Sequence, residues 1–378
     1  MHCPEKELIG LLHEAGTDFM ASLPCEKIKV LLELVAGSFQ HLPLTREEEG
    51  AGICAGAALA GKRPALFVQS SGVGNMLNAL LSLNGFYELP LALFVSQRGV
   101  YKERIEAQLP MGQRLPRMLQ AAGIPCSVIR SGEDFSIIRK KLAGTYRKNR
   151  LQAFLLSPAI WEGSNVRTEA GRGPLPPAGS IPVMPPARKS MVSPRYTRFE
   201  LIQAVAPFLA SRVVVCNLGI PSKELFAVRH QPSNFYMLGS MGMATPIGLG
   251  ISLSTSKEVV VIDGDGSLLM NPGTLATAAF AAPANLTILA IDNGAYGSTG
   301  NQPTLTGDCV DLETVARGFG ISNTLKTASK KELIAALQGR GQGPRFIHAI
   351  AVPGNSDVPN ISLHHLENKA EVMQFIRA

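Results

Sequence analysis

Residues 258–298 read EVVVIDGDGSLLMNPGTLATAAFAAPANLTILAIDNGAYGS. An apolar, β-branched run ends at Ile262, and Gly264-Asp265-Gly266-Ser267 turns the chain. A helical stretch follows Pro272, because proline suits the first turn of a helix. A second apolar run, Leu286 to Ile291, ends in Asp292-Asn293-Gly294-Ala295-Tyr296. This strand–loop–helix–strand order predicts parallel strands covered on both faces. Asp265 and Asn293 then fall just past the carboxyl ends of two strands, where open α/β sheets bind ligands.

The same alternation extends outward. Arg212 to Cys216 is a third apolar run in this half, and Ala65–Gln69 and Leu91–Val95 are its counterparts in the first half. Between the halves, the stretch from about Glu162 to Pro194 is rich in Pro, Gly, Ser and Arg and has no hydrophobic period. It reads as an extended, semi-rigid linker. The expected fold is therefore α/β: two doubly wound parallel-sheet domains, residues 1–162 and 195–378, joined by a Pro/Gly-rich linker over 163–194.

A chain of 378 residues, 46% hydrophobic and 17% charged, can build large covered cores. The net charge is +7, but there is no block of five or six basic residues. The densest basic stretch, Arg139 to Arg150, reads as the solvated face of a helix, so no nucleic-acid partner is expected. A mild positive balance suits small anionic ligands. The six cysteines are scattered without a C-x-x-C pair, which argues against a disulfide framework or zinc site and for a reducing compartment. The N-terminal MHCPEKELIG lacks the apolar core of a signal peptide. Pro283 and Asn285 interrupt the apolar stretch Thr274–Ile291, which argues against a membrane span. A cytoplasmic protein with no membrane partner is expected.

A carboxylate, an amide oxygen and a loop carbonyl suit Mg²⁺, which takes oxygen ligands octahedrally and shares them with phosphate. Glycines on either side of Asp265 let backbone approach a diphosphate closely. Alone, G-D-G is equally an ordinary tight turn. Followed about thirty residues later by D-N-G-A-Y, it resembles the signature of the thiamine-diphosphate-dependent 2-oxo acid decarboxylase superfamily. The resemblance implies that Asp265, the Asn293 side chain and the Ala295 carbonyl bind Mg²⁺. Gly264, Gly266, Ser267 and Tyr296 would then lie around the cofactor, with Ser267 hydrogen-bonded to its diphosphate. Upstream, Gly239-Ser240-Met241-Gly242-Met243-Ala244 resembles the loop beneath the cofactor's pyrimidine. There Gly239 would offer its carbonyl to the 4′-amino group, and Met241 would be the apolar wedge that bends the cofactor; a plain core methionine is the alternative.

In the first half, Thr45-Arg46-Glu47-Glu48-Glu49-Gly50 runs into the small-residue stretch AGICAGAALAGK. This resembles the superfamily's pyrimidine-binding motif, in which a Glu meets N1′ of the aminopyrimidine. Counting back nine residues from Gly56 selects Glu47, whereas taking Ala57 as the reference selects Glu48. Three acids opening a helix also suit its dipole without any catalytic role. Ser71-Gly72-Val73-Gly74-Asn75 lacks the third glycine and downstream acid of a nucleotide fingerprint, so a loop near the active site is expected there.

Larger members of the superfamily carry a third domain where this chain has only its linker. Ser298-Thr-Gly-Asn-Gln-Pro-Thr304 is similar to a motif of the sulfopyruvate and phosphonopyruvate decarboxylases. LTREEEGAGICAGAALAGK and SQRGVYKERIEAQLPMG are similar to the α subunit of the sulfopyruvate decarboxylases, and the second half to their β subunit, as in a fused α–β chain. Gln97 stands where that family has histidine. The implied reaction is decarboxylation of 3-sulfopyruvate to sulfoacetaldehyde and CO₂, a step toward coenzyme M in methanogenic archaea. A small 2-oxo acid with a second anionic group needs fixed donors, for which Arg98, Lys102 and Gln302 are the candidates. Equally open is that Arg98 and Lys102 make surface ion pairs with Glu103 or Glu106. His364 and His365 could assist proton transfer or lie on the surface. The resemblance further implies a homodimer or larger homo-oligomer, with the cofactor between chains. Phosphonopyruvate decarboxylation and a catalytically silent cofactor-binding or scaffold protein are the alternatives.

Overall fold

The structure, a computed structural model, describes residues 3–164, 166, 192–339 and 341–378, so most of the expected linker lies outside the described residues. The first half holds a six-stranded parallel sheet of β1 (Phe19–Ser22), β2 (His41–Pro43), β3 (Pro64–Gln69), β4 (Leu91–Ser96), β5 (Cys126–Ile129) and β6 (Leu151–Leu156), in the order β2-β1-β3-β4-β6-β5. The second contains β7 (Val213–Cys216), β8 (Asn234–Tyr236), β9 (Val259–Gly264), β10 (Leu286–Asp292), β13 (Asn323–Thr327) and β14 (Arg345–Ile350). Their order is β8-β7-β9-β10-β14-β13, and β11 (Ala295–Tyr296) with β12 (Gln302–Pro303) forms a separate small hairpin. With the hairpin set aside, the two sheets have one and the same strand order. The expected pair of parallel α/β sheets is what the chain forms.

Helices cover both faces of each sheet, which is why the strands read as unbroken apolar runs. Residues 91–96 of β4 and 213–216 of β7 are buried throughout. The basic stretch after residue 135 lies on the helix Phe135–Arg147, which turns Phe135, Ile138, Leu142 and Tyr146 inward and leaves Arg139, Lys140, Lys141 and Arg147 exposed. The helix expected after Pro272 spans Thr274–Ala281. No helix of the described residues is long and apolar enough to cross a membrane.

One expectation is corrected. Ser71–Asn75 is not a loop but part of the helix Ser70–Ala79, which runs on into a π-helical turn at Leu80–Gly85. Two glycines weaken a helix by about 1 kcal/mol each. Burial of Val73, Met76 and Ala79 against the core outweighs that cost, and Gly72 is needed for a close approach described below.

The halves meet through two helices, Glu47–Leu59 and Ala244–Ser252. Beyond the three glutamates that open the first, both are made mostly of small and apolar residues, and from Glu49 to Leu59 the first is buried on every side. A Cβ at Gly56 would stand 2.0 Å from the Ile247 carbonyl oxygen, and one at Gly250 would stand 2.0 Å from that of Ile53. Glycine therefore permits backbone-to-backbone contact here. A single hydrophobic core runs across the seam, taking in Ile53 and Ala57 with Met243, Ile247 and Ile251.

Candidate active site

In the second sheet, β7 pairs with β8 on one side and with β9 on the other, so the strand order reverses between β7 and β9. Such a reversal opens a crevice beyond the carboxyl ends of the strands. A cavity lies there, lined by Asn217 after β7, Asp265 after β9, and Asn293 and Ala295 after β10. Gly264, Gly266, Ser267, Met241 and Tyr296 also line it.

Local geometry explains each placement. Asp265 opens a single helical turn, Asp265–Leu268, directly after β9. The bare Cα of Gly266 makes room for Tyr296, since a Cβ would lie 2.2 Å from Cε1 of that ring. The Ser267 hydroxyl accepts a hydrogen bond from the Gly242 N–H at 3.1 Å, which ties the Gly239–Gly242 loop to the turn after β9. That loop is left-handed at Ser240 (φ 59°) and Gly242 (φ 88°). Ser240 is further held by Ser82 of the first half, hydroxyl to hydroxyl at 2.6 Å. Met241 is half-buried and borders the cavity, rather than being sealed in the core. Gly239 is half-buried as well, and a Cβ there would sit 3.1 Å from the Ser82 carbonyl oxygen.

Three carboxylates, Asp263, Asp265 and Asp292, are buried around this turn. Burial pushes the Asp263 and Asp265 carboxyls above their ordinary range, and the neighbouring charge of Asp292 adds to the shift at Asp265. Burial is the largest single effect on Asp292 and acts in the same direction, but the hydrogen bonds and charge around it, from His348 first and then Thr306 and the Gly294 N–H, together hold Asp292 low. Asp292 Oδ2 lies 2.8 Å from His348 Nε2. Asn293 is buried, and its Nδ2 has no hydrogen-bond partner among the described residues.

This donor set fits Mg²⁺ with a diphosphate. A buried excess of carboxylate and an unsatisfied amide are both costly unless a cation and an oxyanion join them. Among the described residues no cluster of three or more His, Cys, Asp or Glu could hold a metal ion. The set at this cavity is of another kind: one carboxylate, one side-chain amide and one backbone carbonyl, the hard oxygen donors that Mg²⁺ shares with phosphate and water.

Glu47 lies elsewhere. It is buried, its Oε2 accepts from Asn75 Nδ2 at 3.0 Å, and its Oε1 would be 2.3 Å from a Cβ at Gly72. The cavity is lined only by residues from 198 to 299, with none from the first half. The three acids of the motif have separate surroundings. Glu48 accepts from Asn271 Nδ2 at 3.2 Å and lies 3.7 Å from Arg46 Nη2. Glu49 Oε1 accepts from the Thr45 N–H (2.6 Å) and hydroxyl (2.8 Å) and from the Thr277 hydroxyl (2.9 Å). Glu48 and Glu49 thus fasten the helix start to the second half, whereas Glu47 is held from within the first.

The anion candidates are not gathered in one place. Arg98 is buried in a bidentate pair with Glu103, 2.7 Å at each contact, and this pairing holds the Glu103 carboxyl down at about 2. Of the ion pairs considered from sequence, Arg98–Glu103 forms, but in the interior rather than on the surface. Lys102 pairs with Glu162 instead of Glu103 or Glu106, and it is exposed. Gln302 is exposed in the other half and bonds Thr299 through both its amide atoms, at 2.9 and 3.1 Å. Gln97 is buried with its amide donating to the Gly112 carbonyl at 3.1 Å. His364 caps the helix His365–Arg377, and His365 stacks on Phe86 at 4.0 Å; neither borders the cavity.

Sequence reasoning missed Asn75, Thr304, Thr306 and His348. Thr304 ends the Ser298–Thr304 motif and Asn75 ends the Ser71–Asn75 stretch, so both positions carried a signal. Thr306 and His348 stand outside any motif.

Residues 221–349 match the family described as thiamine pyrophosphate enzyme, C-terminal TPP binding domain. The chain is 43% identical over 372 residues to a sulfopyruvate decarboxylase of Methanosarcina acetivorans, covering 95% of this chain and 94% of the relative. The chain belongs to the sulfopyruvate decarboxylase family. A phosphonopyruvate decarboxylase of Streptomyces viridochromogenes is more distant within the same group, 33% identical with 93% and 89% of the two chains covered. In fold, the chain matches the thiamine diphosphate-dependent 4-hydroxybenzoylformate decarboxylase of Rhodococcus jostii RHA1 with a TM-score of 0.68 at 15% identity, over 93% of this chain and 99% of that one. Family membership over nearly the whole length brings both the Glu47 helix and the Asp265–Asn293 cavity under one enzyme class, the carboxy-lyases.

Proposed function

We propose that the chain decarboxylates 3-sulfopyruvate to sulfoacetaldehyde and CO₂, on the path to coenzyme M, with thiamine diphosphate and Mg²⁺ bound. The observation that carries this reading is similarity to a sulfopyruvate decarboxylase along 95% of the chain, which includes the cavity after β9 and β10. When bound, thiamine diphosphate supplies the electron sink for the electrons released as CO₂ leaves.

On this reading, which rests on the resemblance of its motifs, each group of the chain has a task. Asp265, Asn293 and the Ala295 carbonyl hold Mg²⁺, and Ser267 with the backbone of Gly264 and Gly266 receives the diphosphate. Met241 supplies an apolar support, Tyr296 closes the wall, and Gly239 offers its carbonyl to the amino group. Glu47 holds and moves a proton at the aminopyrimidine nitrogen; its burial and its single amide donor favour this over Glu48, which is committed to Asn271 and Arg46. Arg98, Lys102 and Gln302 remain the anion candidates, Lys102 and Gln302 being exposed and Arg98 buried. On this reading residues 1–162 are the pyrimidine half and residues 195–378 the diphosphate half.

A homodimer or larger assembly belongs to the same reading. Glu47 does not border the cavity of its own chain, so a second copy that brings its Glu47 there completes the site, in a homodimer or larger assembly. Leu238 (52% exposed) and Met270 (50% exposed) flank the Gly239–Gly242 loop and offer apolar surface for that copy to cover. Six free cysteines support a reducing, cytoplasmic location.

Parallel turnover assays with 3-sulfopyruvate and phosphonopyruvate, each with thiamine diphosphate and Mg²⁺, test the proposal. Preference for sulfopyruvate is expected. Preference for phosphonopyruvate replaces the substrate, and cofactor binding without turnover of either leaves the scaffold alternative. Sedimentation of fully active monomer would exclude the shared site.

A further inference from the structure

The segment after the cavity loop carries a set of contacts that the reading above does not use. Thr304 is buried, and its hydroxyl donates to Asp265 Oδ2. The Thr306 hydroxyl lies 3.1 Å from the same oxygen, 2.8 Å from Asp292 Oδ1 and 2.8 Å from the Thr304 hydroxyl. Asp292 is in turn anchored by His348 of β14, and the Thr304 N–H donates to the Gly294 carbonyl at 3.0 Å. Two hydroxyls from one three-residue stretch therefore converge on a single carboxylate oxygen of the residue after β9. They are the side chains that connect it to the end of β10 and to β14.

We propose that Thr304 and Thr306 are positioning residues for the cation: they fix Asp265 through Oδ2 so that Oδ1 is presented to Mg²⁺, and in doing so they make the folding-down of residues 298–307 part of metal binding. The inference rests on the proposed cofactor site. Its physical basis is the behaviour of carboxylate ligands generally, whose outer partners set ligand orientation and whose loss weakens metal binding about 10–100-fold. A carboxylate with both oxygens free can rotate about its Cβ–Cγ bond. With Oδ2 accepting from the Thr304 hydroxyl, and the Thr306 hydroxyl beside it sharing its one proton between this oxygen and Asp292 Oδ1, the carboxylate is held in one orientation while the segment is seated. A threonine in place of a lysine or arginine is the informative choice of residue. A cation at Oδ2 would neutralise Asp265 and compete with Mg²⁺, whereas neutral hydroxyls orient the carboxylate and leave its charge for the metal. The coupling is reciprocal: metal binding must order the segment by the same factor that the segment strengthens metal binding.

The test uses the full-length protein. Mg²⁺ is titrated calorimetrically in the presence of saturating thiamine diphosphate, and hydrogen exchange of residues 298–307 is followed with and without both ligands. Thr304→Val and Thr306→Val are expected to raise the Mg²⁺ Kd about 10–100-fold and to abolish the ligand-induced protection of the segment. Thr304→Ser, which keeps the hydroxyl, is expected to restore both. Far-ultraviolet circular dichroism of every variant checks the fold, and Thr304→Ser against Thr304→Val keeps the comparison valid if valine perturbs packing. A wild-type Kd in the valine variants, with the fold retained, overturns the positioning role and leaves the cofactor site standing. Failure of the wild-type protein to bind Mg²⁺ and thiamine diphosphate overturns both.

Discussion

Glu47 rests against the bare Cα of Gly72: a Cβ at residue 72 would stand 2.3 Å from Oε1 of the glutamate and 2.4 Å from its Cγ. The carboxylate is thereby set between the first turn of the helix Ser70–Ala79 and Asn75 Nδ2, one turn further on. A methyl group at residue 72 would displace it. Glu47→Gln is expected to lower kcat by about 10²–10⁴, the usual contribution of a positioned acid or base. Gly72→Ala should reproduce part of that loss, with Mg²⁺ and thiamine diphosphate still bound as judged by calorimetry. Wild-type turnover in Gly72→Ala would show that this contact does not fix the carboxylate.

The seam between the halves makes a prediction of opposite sign to helix propensity. Gly56→Ala and Gly250→Ala should each stabilise an isolated helix by about 1 kcal/mol. Here each added Cβ meets a carbonyl oxygen at 2.0 Å, so the helices must separate. Overpacking of this kind costs about 1–3 kcal/mol, and a lowered urea midpoint with unchanged slope is the expected result. A raised midpoint would mean that the two helices do not meet as described.

Arg98 and Lys102 separate by burial. The side chains of Arg98 and Glu103 are both buried, and Arg98→Met leaves the Glu103 carboxylate with backbone donors but no counter-charge, at an expected cost of about 3–5 kcal/mol in urea unfolding. Because Arg98, with the Ile105 and Gly99 N–H groups, lowers the Glu103 carboxyl from 4.5 to about 2, this stabilisation is full above pH 4.5 and is lost as pH falls from 4.5 toward 2. The Arg98→Met protein should therefore show a shallower loss of stability over that window. Lys102→Ala, at an exposed pair, should leave the urea midpoint close to that of the wild type. A rise in KM for sulfopyruvate in Lys102→Ala, at unchanged stability, would assign it to the anion; an unchanged KM would remove it from the candidates.

Gly266 gives a test of the cavity itself. An alanine there meets the Tyr296 ring at 2.2 Å, so the ring has to shift in the cavity that both residues line. Gly266→Ala is expected to weaken thiamine diphosphate binding at least about tenfold while the melting temperature moves by only a few degrees, since a ring edge yields more readily than backbone. Cofactor affinity equal to wild type would place Tyr296 outside the binding site.

Much of this protein is legible along the chain because its strands are short, apolar and punctuated. β3, β4, β7, β9 and β10 stand out as unbroken apolar runs, and the residues that follow β9 and β10 occupy the places where parallel sheets bind ligands. Ser71–Asn75 misled, because local propensity at Gly72 and Gly74 opposes the helix that tertiary burial imposes. The partners of Arg98 and Lys102 were open for a related reason: charge spacing does not say which residue a side chain reaches once the loop after β4 has folded.

The sequence by itself determined the two-half α/β architecture, the cavity loop Gly264–Ser267 with Asn293, and the Glu47–Leu59 helix, because periodicity and motif spacing are properties of neighbouring residues. Only the tertiary structure decided that the three glutamates part ways, that Asn75 and Gly72 hold Glu47, and that Thr304, Thr306 and His348 converge behind Asp265 and Asp292. Those relationships join residues tens of positions apart across the carboxyl ends of parallel strands. There the sheet brings loops together in an order that the chain does not follow, and hydrogen bonds among buried polar groups are fixed by that proximity.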